Sequence, residues 1–190
     1  MEMKKPKKII RWKAWDYSSA GAYFVTICTQ NWECSFGEIR HNLDFMDIGL
    51  NADSSIPYPH LHSYMRPTTI AEIAWRFWKE IPSHYPFVVL DAFVIMPNHI
   101  HGILFFDKEP NEDWNPYQFG PQRNNLADVI RAYKGSVKRW ANKKEIPFSW
   151  QGRYHDRVIR NVDELKRIQT YIWNNPFNWN SDQENPDYRL

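Results

Sequence analysis

Apolar residues recur along the chain at two spacings, and the shorter spacing predicts several strands. Residues 22–29 form a run of β-branched and aromatic side chains that indicates a buried strand. Residues 87–96 form a second run, which predicts either a strand pair or one long bent strand. A Pro-Asn pair interrupts the pattern before residues 99–106 resume it, so we expect a tight turn between adjacent strands. A further strand is predicted over residues 150–160.

Three other segments repeat apolar residues at the spacing of an amphipathic helix. The first begins near Ile70, after a threonine that can cap it, and Pro82 marks its end. The second covers residues 126–140 and carries basic side chains on or beside its other face. The third covers residues 162–173 and stops before Pro176, which cannot continue a helix.

The order strand, helix, two strands, helix, strand, helix predicts an α+β fold. We expect a ferredoxin-like sandwich, with helices on one face of a mostly antiparallel sheet. A length of 190 residues fits a single domain over residues 1–190. Within this domain, three segments lie outside the predicted sheet and helices: a basic arm (1–17), an insertion (30–67) and a C-terminal tail (177–190). Within the insertion, residues 34–40 and 45–50 can form a small hairpin.

Overall charge and cysteine content narrow the class of protein only slightly. The 24 Lys and Arg residues nearly match 22 Asp and Glu residues, so a net charge of +2 does not identify a nucleic-acid binder. Cys28 and Cys34 have no second pair with which to build a zinc site or a disulfide framework, which favours a reducing cytoplasm. No apolar run approaches the length of a membrane span, and we expect neither a signal peptide nor a membrane partner.

Two histidines stand at the start of the strand predicted over residues 99–106. Residues two apart in a strand point to the same face, so His99 and His101 can converge on one ion while Ile100 points away. Imidazole binds several divalent metals. The alternative is a pair of partly exposed strand histidines with no ligand.

The last predicted helix carries Tyr171 and Asn175 four residues apart, hence on one face. A phenol with an ordinary pKa near 10 needs a neighbouring base or a metal-bound phosphate to act as a nucleophile. The alternative for Tyr171 is ordinary helix packing. Tyr133 is the second candidate nucleophile, although it also fits the apolar stripe of its helix. His155 can orient a water, contact DNA or belong to a structural turn.

Four motifs occur together in a fixed order, at residues 94–103, 130–138, 150–160 and 171–176. In this combination the chain resembles the REP-associated tyrosine transposases, a branch of the single-tyrosine, His-hydrophobic-His transposases of small insertion sequences. The resemblance covers the first strand and most of the chain from about residue 70 to residue 176.

The resemblance implies an enzyme that binds a DNA hairpin and cuts the adjacent single strand, leaving a 5′-phosphotyrosine and a 3′ hydroxyl. Tyr171 matches the nucleophile, His99 and His101 match the metal-binding pair, and Asn175 matches the third ligand. The implied cofactor is a divalent ion, magnesium or manganese, that polarises the scissile phosphate. A bacterial protein that associates with the nucleoid when it binds DNA is implied, and monomer and homodimer both stay open.

DNA contacts are expected from clustered basic side chains and from the arm over residues 1–17. The candidates are Lys134, Lys138, Arg139, Arg153, Arg157 and Arg160. The alternative for each is a solvated charged surface. Two other functions remain open: a non-catalytic protein that binds DNA hairpins, and a metal-dependent hydrolase that uses water in place of the tyrosine.

Overall fold

The computed structural model describes residues 15–41, 63–109 and 123–189. Its strands are β1 (Gly21–Cys28), β2 (Gly37–His41), β3 (Ser63–Pro67), β4 (Val88–Ile95), β5 (His99–Phe106) and β6 (His155–Ile159). Its helices are α1 (Thr69–Lys79), the short α2 (Ile81–His84), α3 (Leu126–Lys143) and α4 (Val162–Asn174). Most of the basic arm and the centre of the insertion lie outside the described residues.

The main sheet has four strands in the order β4-β5-β1-β6, and every neighbouring pair is antiparallel. Strand β5 therefore lies between β1 and β4 in the sheet. Along the chain, the segment from β1 to β4 contains α1 and α2. This arrangement confirms the predicted α+β, ferredoxin-like sheet. The first predicted strand, the turn before β5 and all three predicted amphipathic helices are also confirmed.

Strand β1 divides its side chains between two apolar layers. Tyr23, Val25 and Ile27 point into the larger layer with residues of α1 and α3, whereas Ala22 and Phe24 point into a second layer. The second layer contains residues of α4, namely Leu165, Ile168 and Ile172. Helices thus cover both faces of the sheet, and the expectation of helices on one face is wrong for α4. Since α4 has an apolar stripe of its own, it buries that stripe on the face that α1 and α3 leave open.

Each long helix starts at a polar cap. The side chains of Thr68, Asn125 and Asn161 accept hydrogen bonds from the backbone N–H three residues further on, at the starts of α1, α3 and α4 respectively. Such caps satisfy donors that have no partner inside the helix. The cap at Asn161 fixes where α4 begins. It therefore also fixes the directions in which later residues of α4, such as Tyr171, point.

The structure decides one strand prediction between its two alternatives and corrects two others. Of the two forms predicted for residues 87–96, the single strand is confirmed: β4 covers Val88–Ile95, and its register shifts between Leu90 and Phe93. Strand β6 covers only His155–Ile159, and Trp150 contributes an isolated bridge to Thr29. In the insertion, β2 pairs with β3. The proposed partner at residues 45–50 lies outside the described residues.

In the described ranges, none of the helices combines the length and the apolarity required to cross a lipid bilayer.

Candidate metal and tyrosine site

Two buried histidines form the centre of the site. In the register between β1 and β5, His99 lies opposite Cys28 and His101 lies opposite Thr26. His99 is fully buried and His101 is 5% exposed. The centroids of the two rings lie 4.5 Å apart. The alternative of two partly exposed histidines is therefore wrong. Both imidazoles lie on the face of the sheet that α4 covers.

His99 uses one ring nitrogen and leaves the other unsatisfied. Its Nδ1 lies 2.8 Å from Oδ1 of Asn98. Its Nε2 is buried and has no hydrogen-bond partner among the described residues. Burial lowers the pKa of His99 to about 3, against a smaller opposite effect from Asn175, so the imidazole is neutral near pH 7.

His101 links the sheet to α4. Its Nδ1 lies 2.9 Å from Oγ1 of Thr26, and its Nε2 lies 3.2 Å from the hydroxyl of Tyr171. With the proton on Nδ1, His101 donates to Thr26 and accepts from Tyr171, and the other tautomer exchanges both roles. Burial, and then the neighbouring His99, holds the pKa of His101 well below its usual value.

Tyr171 lies at the edge of the site and is 47% exposed. Its ring packs edge-on against His101 and Phe24, at centroid distances of 5.2 and 6.2 Å. Burial of the hydroxyl raises the pKa of Tyr171, and the carboxylates of Asp182 and Glu184 add to that effect. The phenol is therefore protonated near pH 7 in the absence of other groups.

Asn175, one turn after Tyr171, points into the same site. It is 2% exposed, and its Oδ1 is buried without a hydrogen-bond partner in the described part of the chain. The amide nevertheless lies close enough to His99 and Tyr171 to raise the pKa of the first and lower that of the second. Its amide therefore lies beside both groups, although its oxygen makes no hydrogen bond of normal geometry among the described residues.

These donors fit a divalent cation. Two neutral imidazoles and one amide oxygen supply lone pairs, and two of the atoms, His99 Nε2 and Asn175 Oδ1, are buried and unsatisfied. Buried polar atoms normally have partners, so two such atoms in one site indicate a ligand. No cluster of three or more His, Cys, Asp or Glu side chains suited to a metal occurs in the described ranges. The third protein ligand would accordingly be the amide.

His155 lies on the same face of the sheet. Thr26 is the register partner of both His101 and His155, so the three residues form a row across β5, β1 and β6. His155 is half-buried. This placement favours a role near the site over the simple turn that was the alternative.

The second candidate nucleophile lies elsewhere. Tyr133 is buried in the larger layer, and its hydroxyl donates to the backbone carbonyl of Ala74 at 3.0 Å. The sheet separates this layer from the histidines. Tyr133 is a core residue, so its proposed role as nucleophile is wrong.

The two candidate DNA-binding lysines bind their own chain. Lys134 Nζ donates to the carbonyl of Gln151 at 2.6 Å, and Lys138 Nζ donates to the carbonyl of Phe148. Both lysines are partly buried and hold the segment between α3 and β6. The four candidate arginines are all exposed: Arg139, Arg153, Arg157 and Arg160. Arg157 also pairs with Glu164 at 2.5 Å.

Two features of the site were absent from the sequence interpretation. Asn98 was interpreted only as a turn residue, yet its amide contacts His99. The C-terminal tail also reaches the site, because the Trp179 ring lies 6.2 Å from the His99 ring and the Glu184 carbonyl accepts from Asn98. A polar turn residue directly before a candidate ligand was the available signal for Asn98. No sequence signal connects the tail to the site.

Comparisons with known proteins found similar solved structures and a relative in sequence. No protein-family model matches the sequence. A solved REP-associated tyrosine transposase bound to a REP hairpin is 16% identical, with a TM-score of 0.48 over 92% of this chain and 73% of that chain. A Deinococcus radiodurans R1 protein provisionally described as a transposase is 15% identical, with a TM-score of 0.39 over 90% and 97% of the two chains. TM-scores this low carry no conclusion about function.

A Haemophilus influenzae (strain KW20 Rd) protein described as uncharacterized is similar to this chain in sequence. It is 33% identical over 187 residues, which cover 93% of this chain and 92% of that protein. Identity at this level over nearly the whole of both chains reflects common descent and a shared fold. The chain belongs to the same protein family as this Haemophilus influenzae protein.

Proposed function

We propose that the chain is a REP-associated tyrosine transposase that cuts and rejoins single-stranded DNA beside a hairpin, with Tyr171 as nucleophile and a divalent metal as cofactor. One observation carries the proposal: the Tyr171 hydroxyl lies 3.2 Å from His101 Nε2, in the same site as the unsatisfied His99 Nε2 and Asn175 Oδ1. A candidate nucleophile and a candidate ligand set thus meet within one subunit.

The energetic argument supports a ligand. An unsatisfied buried polar atom costs on the order of 1–3 kcal/mol, and an apolar side chain at either position avoids that cost. His99 and Asn175 therefore impose a penalty on the metal-free fold. A cation that accepts both lone pairs removes it.

The proposed reaction uses the chain's own groups as follows. In the metal-free chain, with the proton on Nδ1, His101 donates to Thr26 and accepts a hydrogen bond from Tyr171, which holds the phenol beside the site. Nε2 has one lone pair, so a metal at this atom would replace that hydrogen bond and leave the phenol oxygen next to the ion. That oxygen gives up its proton to water and attacks the phosphorus, the bond from phosphorus to the 3′ oxygen breaks, and the 3′ oxygen takes up a proton from water. The products are a 5′-phosphotyrosine at Tyr171 and a 3′ hydroxyl, and the reverse attack rejoins the strand without ATP. A magnesium or manganese ion held by His99, His101 and Asn175 would polarise the scissile phosphate and stabilise the leaving oxygen.

The proposed DNA partners are single-stranded and hairpin DNA. Arg139, Arg153 and Arg160 support this assignment because exposed guanidinium groups bind phosphates bidentately. Arg157 supports it less, since it already pairs with Glu164. Lys134 and Lys138 support it less, since both already donate to backbone carbonyls of the chain. Residues 1–17 add further positive charge.

The test is transfer of a label from DNA to protein. Single-stranded hairpin DNA labelled at its 3′ end, taken from sequence that flanks the gene, is incubated with protein and manganese and resolved on a denaturing protein gel. Wild type should acquire the label, and Tyr171→Phe or wild type without metal should not. Tyr64→Phe is the matched control, because Tyr64 on β3 is 45% exposed and Tyr171 is 47% exposed.

Two results would contradict the proposal. Cleavage without a protein adduct, retained in Tyr171→Phe, would identify a hydrolase that uses water. Tight hairpin binding without cleavage in any divalent metal would identify a non-catalytic binding protein.

A further inference from the structure

We propose that Asn98 is a positioning residue that places the proton of His99 on Nδ1 and so leaves a lone pair on Nε2, and that the chain's C-terminal tail fixes Asn98 for this task. The inference rests on the proposed function in one respect, namely that His99 Nε2 is a metal ligand. The tautomer itself follows from hydrogen bonds alone.

The backbone of Asn98 is held in place first. Asn98 occupies the turn between β4 and β5 and is 0% exposed. Its carbonyl accepts both the backbone N–H and the side-chain hydroxyl of Thr29, each at 2.9 Å. The side-chain amide therefore starts from a fixed point beside His99.

The orientation of the amide is set by two carbonyls. Asn98 Nδ2 lies 3.2 Å from the carbonyl oxygen of Trp32 and 2.7 Å from that of Glu184. Carbonyl oxygens only accept hydrogen bonds, so the NH₂ group must face both. The amide oxygen then has to face the opposite side, where His99 lies.

The tautomer of His99 follows from that orientation. Asn98 Oδ1 lies 2.8 Å from His99 Nδ1 and can only accept, so Nδ1 must carry the proton. A neutral imidazole has one N–H, which leaves the lone pair on Nε2. That atom is the one without a partner among the described residues. A group that holds the remote nitrogen of a histidine ligand in this way raises metal affinity.

The two carbonyls come from distant parts of the chain. Trp32 is 66 residues before Asn98, and Glu184 is 86 residues after it. The tail thus contributes to the ligand set through a single backbone carbonyl. Without that carbonyl the amide loses its shorter hydrogen bond, and the barrier to exchanging its N and O atoms falls.

The test begins with the tautomer in the metal-free wild type. Protein with ¹⁵N-labelled histidine is examined by long-range ¹H–¹⁵N correlation, which distinguishes a protonated from an unprotonated ring nitrogen. We expect His99 to carry its proton on Nδ1. A proton on Nε2 would overturn the inference, and this measurement needs no variant.

Two variants then separate acceptor from donor. Asn98→Leu has a similar shape but no acceptor, and should populate the Nε2–H tautomer and weaken manganese binding, measured by electron paramagnetic resonance, by about 10- to 100-fold. Asn98→Asp keeps an acceptor for Nδ1 but loses the donor that the carbonyls of Trp32 and Glu184 hold, so its population of the Nδ1–H tautomer should lie between those of wild type and Asn98→Leu. The His101 signals are the internal control, because Thr26 and Tyr171 hold that ring and a general loss of structure would change both histidines.

The outcomes separate this inference from the proposed function. An unchanged His99 tautomer and unchanged manganese affinity in Asn98→Leu would overturn the inference. Two results together would confirm control by Asn98 and contradict the metal site. In that case Asn98→Leu would lose the Nδ1–H tautomer that wild type has, and wild type would bind no manganese.

Discussion

The Tyr171 hydroxyl lies 3.2 Å from His101 Nε2, although 70 residues separate them along the chain. The packing of α4 on the sheet sets this distance. Ile172, next to Tyr171, is fully buried in the second apolar layer, and Gln169 donates to the Asp91 carboxylate at 3.0 and 2.9 Å. The position of the proposed nucleophile therefore depends on contacts that are not themselves part of the reaction.

Replacement of Gln169 should disturb the site through α4. Gln169→Leu removes a hydrogen bond to a partly buried carboxylate and should lower the free energy of unfolding by about 1.5 kcal/mol. Protein–DNA adduct formation should fall more than hairpin affinity does. Urea unfolding, gel assays and filter binding measure the three quantities, and Arg167→Leu on the exposed side of α4 is the control. Equal losses of binding and adduct would contradict this account.

Replacement of Asn175 should separate stability from metal binding. Asn175→Leu removes an unsatisfied buried oxygen, so the free energy of unfolding of the metal-free protein should rise by about 1 kcal/mol. Stabilisation by added manganese should be lost in this variant. Urea unfolding with chelator and with manganese checks both expectations, and Asn174→Leu at the exposed neighbour is the control. A variant that manganese still stabilises would exclude Asn175 as a ligand.

Acid should destabilise the protein through His99. Its pKa is about 3 in the folded chain and near 6.5 when unfolded, so the unfolded state binds more protons between these values. The contribution of His99 to the free energy of unfolding is fully present above pH 6.5. It falls by about 1.4 kcal/mol per pH unit as the pH decreases towards 3. His99→Phe should reduce the slope of unfolding free energy against pH. Identical slopes in wild type and His99→Phe would contradict the expectation.

Gly102, next to His101, has no side chain, and the ring of Trp78 occupies the space that a side chain would fill. A Cβ atom there would lie 2.3 Å from Cζ2 of Trp78, whose ring is fully buried. Gly102→Ala should lower the free energy of unfolding by about 1–3 kcal/mol through overpacking. Gly152→Ala, where no atom lies within 4 Å of the new Cβ, should be nearly neutral. Thermal unfolding of both variants tests the contrast, and a neutral Gly102→Ala would show that Trp78 can move.

Basic residues of two kinds should respond differently. Lys134→Met should lower stability, because the ammonium holds the Gln151 carbonyl, and should change the salt dependence of DNA binding little. Arg153→Ala should leave stability unchanged, weaken hairpin binding and reduce the salt slope by about 1 if the side chain contacts one phosphate. Binding measured over a range of salt concentrations, with chemical unfolding of each variant, distinguishes the two. A steeper salt slope in Arg153→Ala would contradict the assignment.

Local patterns predicted the main elements because each one depends on neighbours in sequence. The alternating run before Thr29 forms β1, and polar caps such as Asn125 start helices at apolar repeats. The pairing of β2 with β3 was not predictable, because intervening residues carry no register signal. Nor was the face chosen by α4, which depends on the area that α1 and α3 leave uncovered.

For the candidate site too, the sequence predicted the features that depend on local spacing and missed those that depend on tertiary packing. His99 and His101 follow from the two-residue period of a strand, and Tyr171 and Asn175 follow from the four-residue period of a helix. That the two pairs meet is a matter of tertiary packing, which the resemblance implied and periodicity could not. The role of Asn98 depends on carbonyls that any residue type supplies, so no side-chain pattern marks them.

The hydrogen bond from Asn98 to the Glu184 carbonyl also gives the site an order of assembly during translation. The β5 histidines and their strand partners in β1 can fold early, but the amide that orients His99 receives its second anchor only after residue 184 has left the ribosome. Polypeptides released between residue 175 and that point contain Tyr171 and all three proposed ligands but lack the second anchor of Asn98. Premature termination there would thus leave a full set of ligands around a less firmly oriented His99.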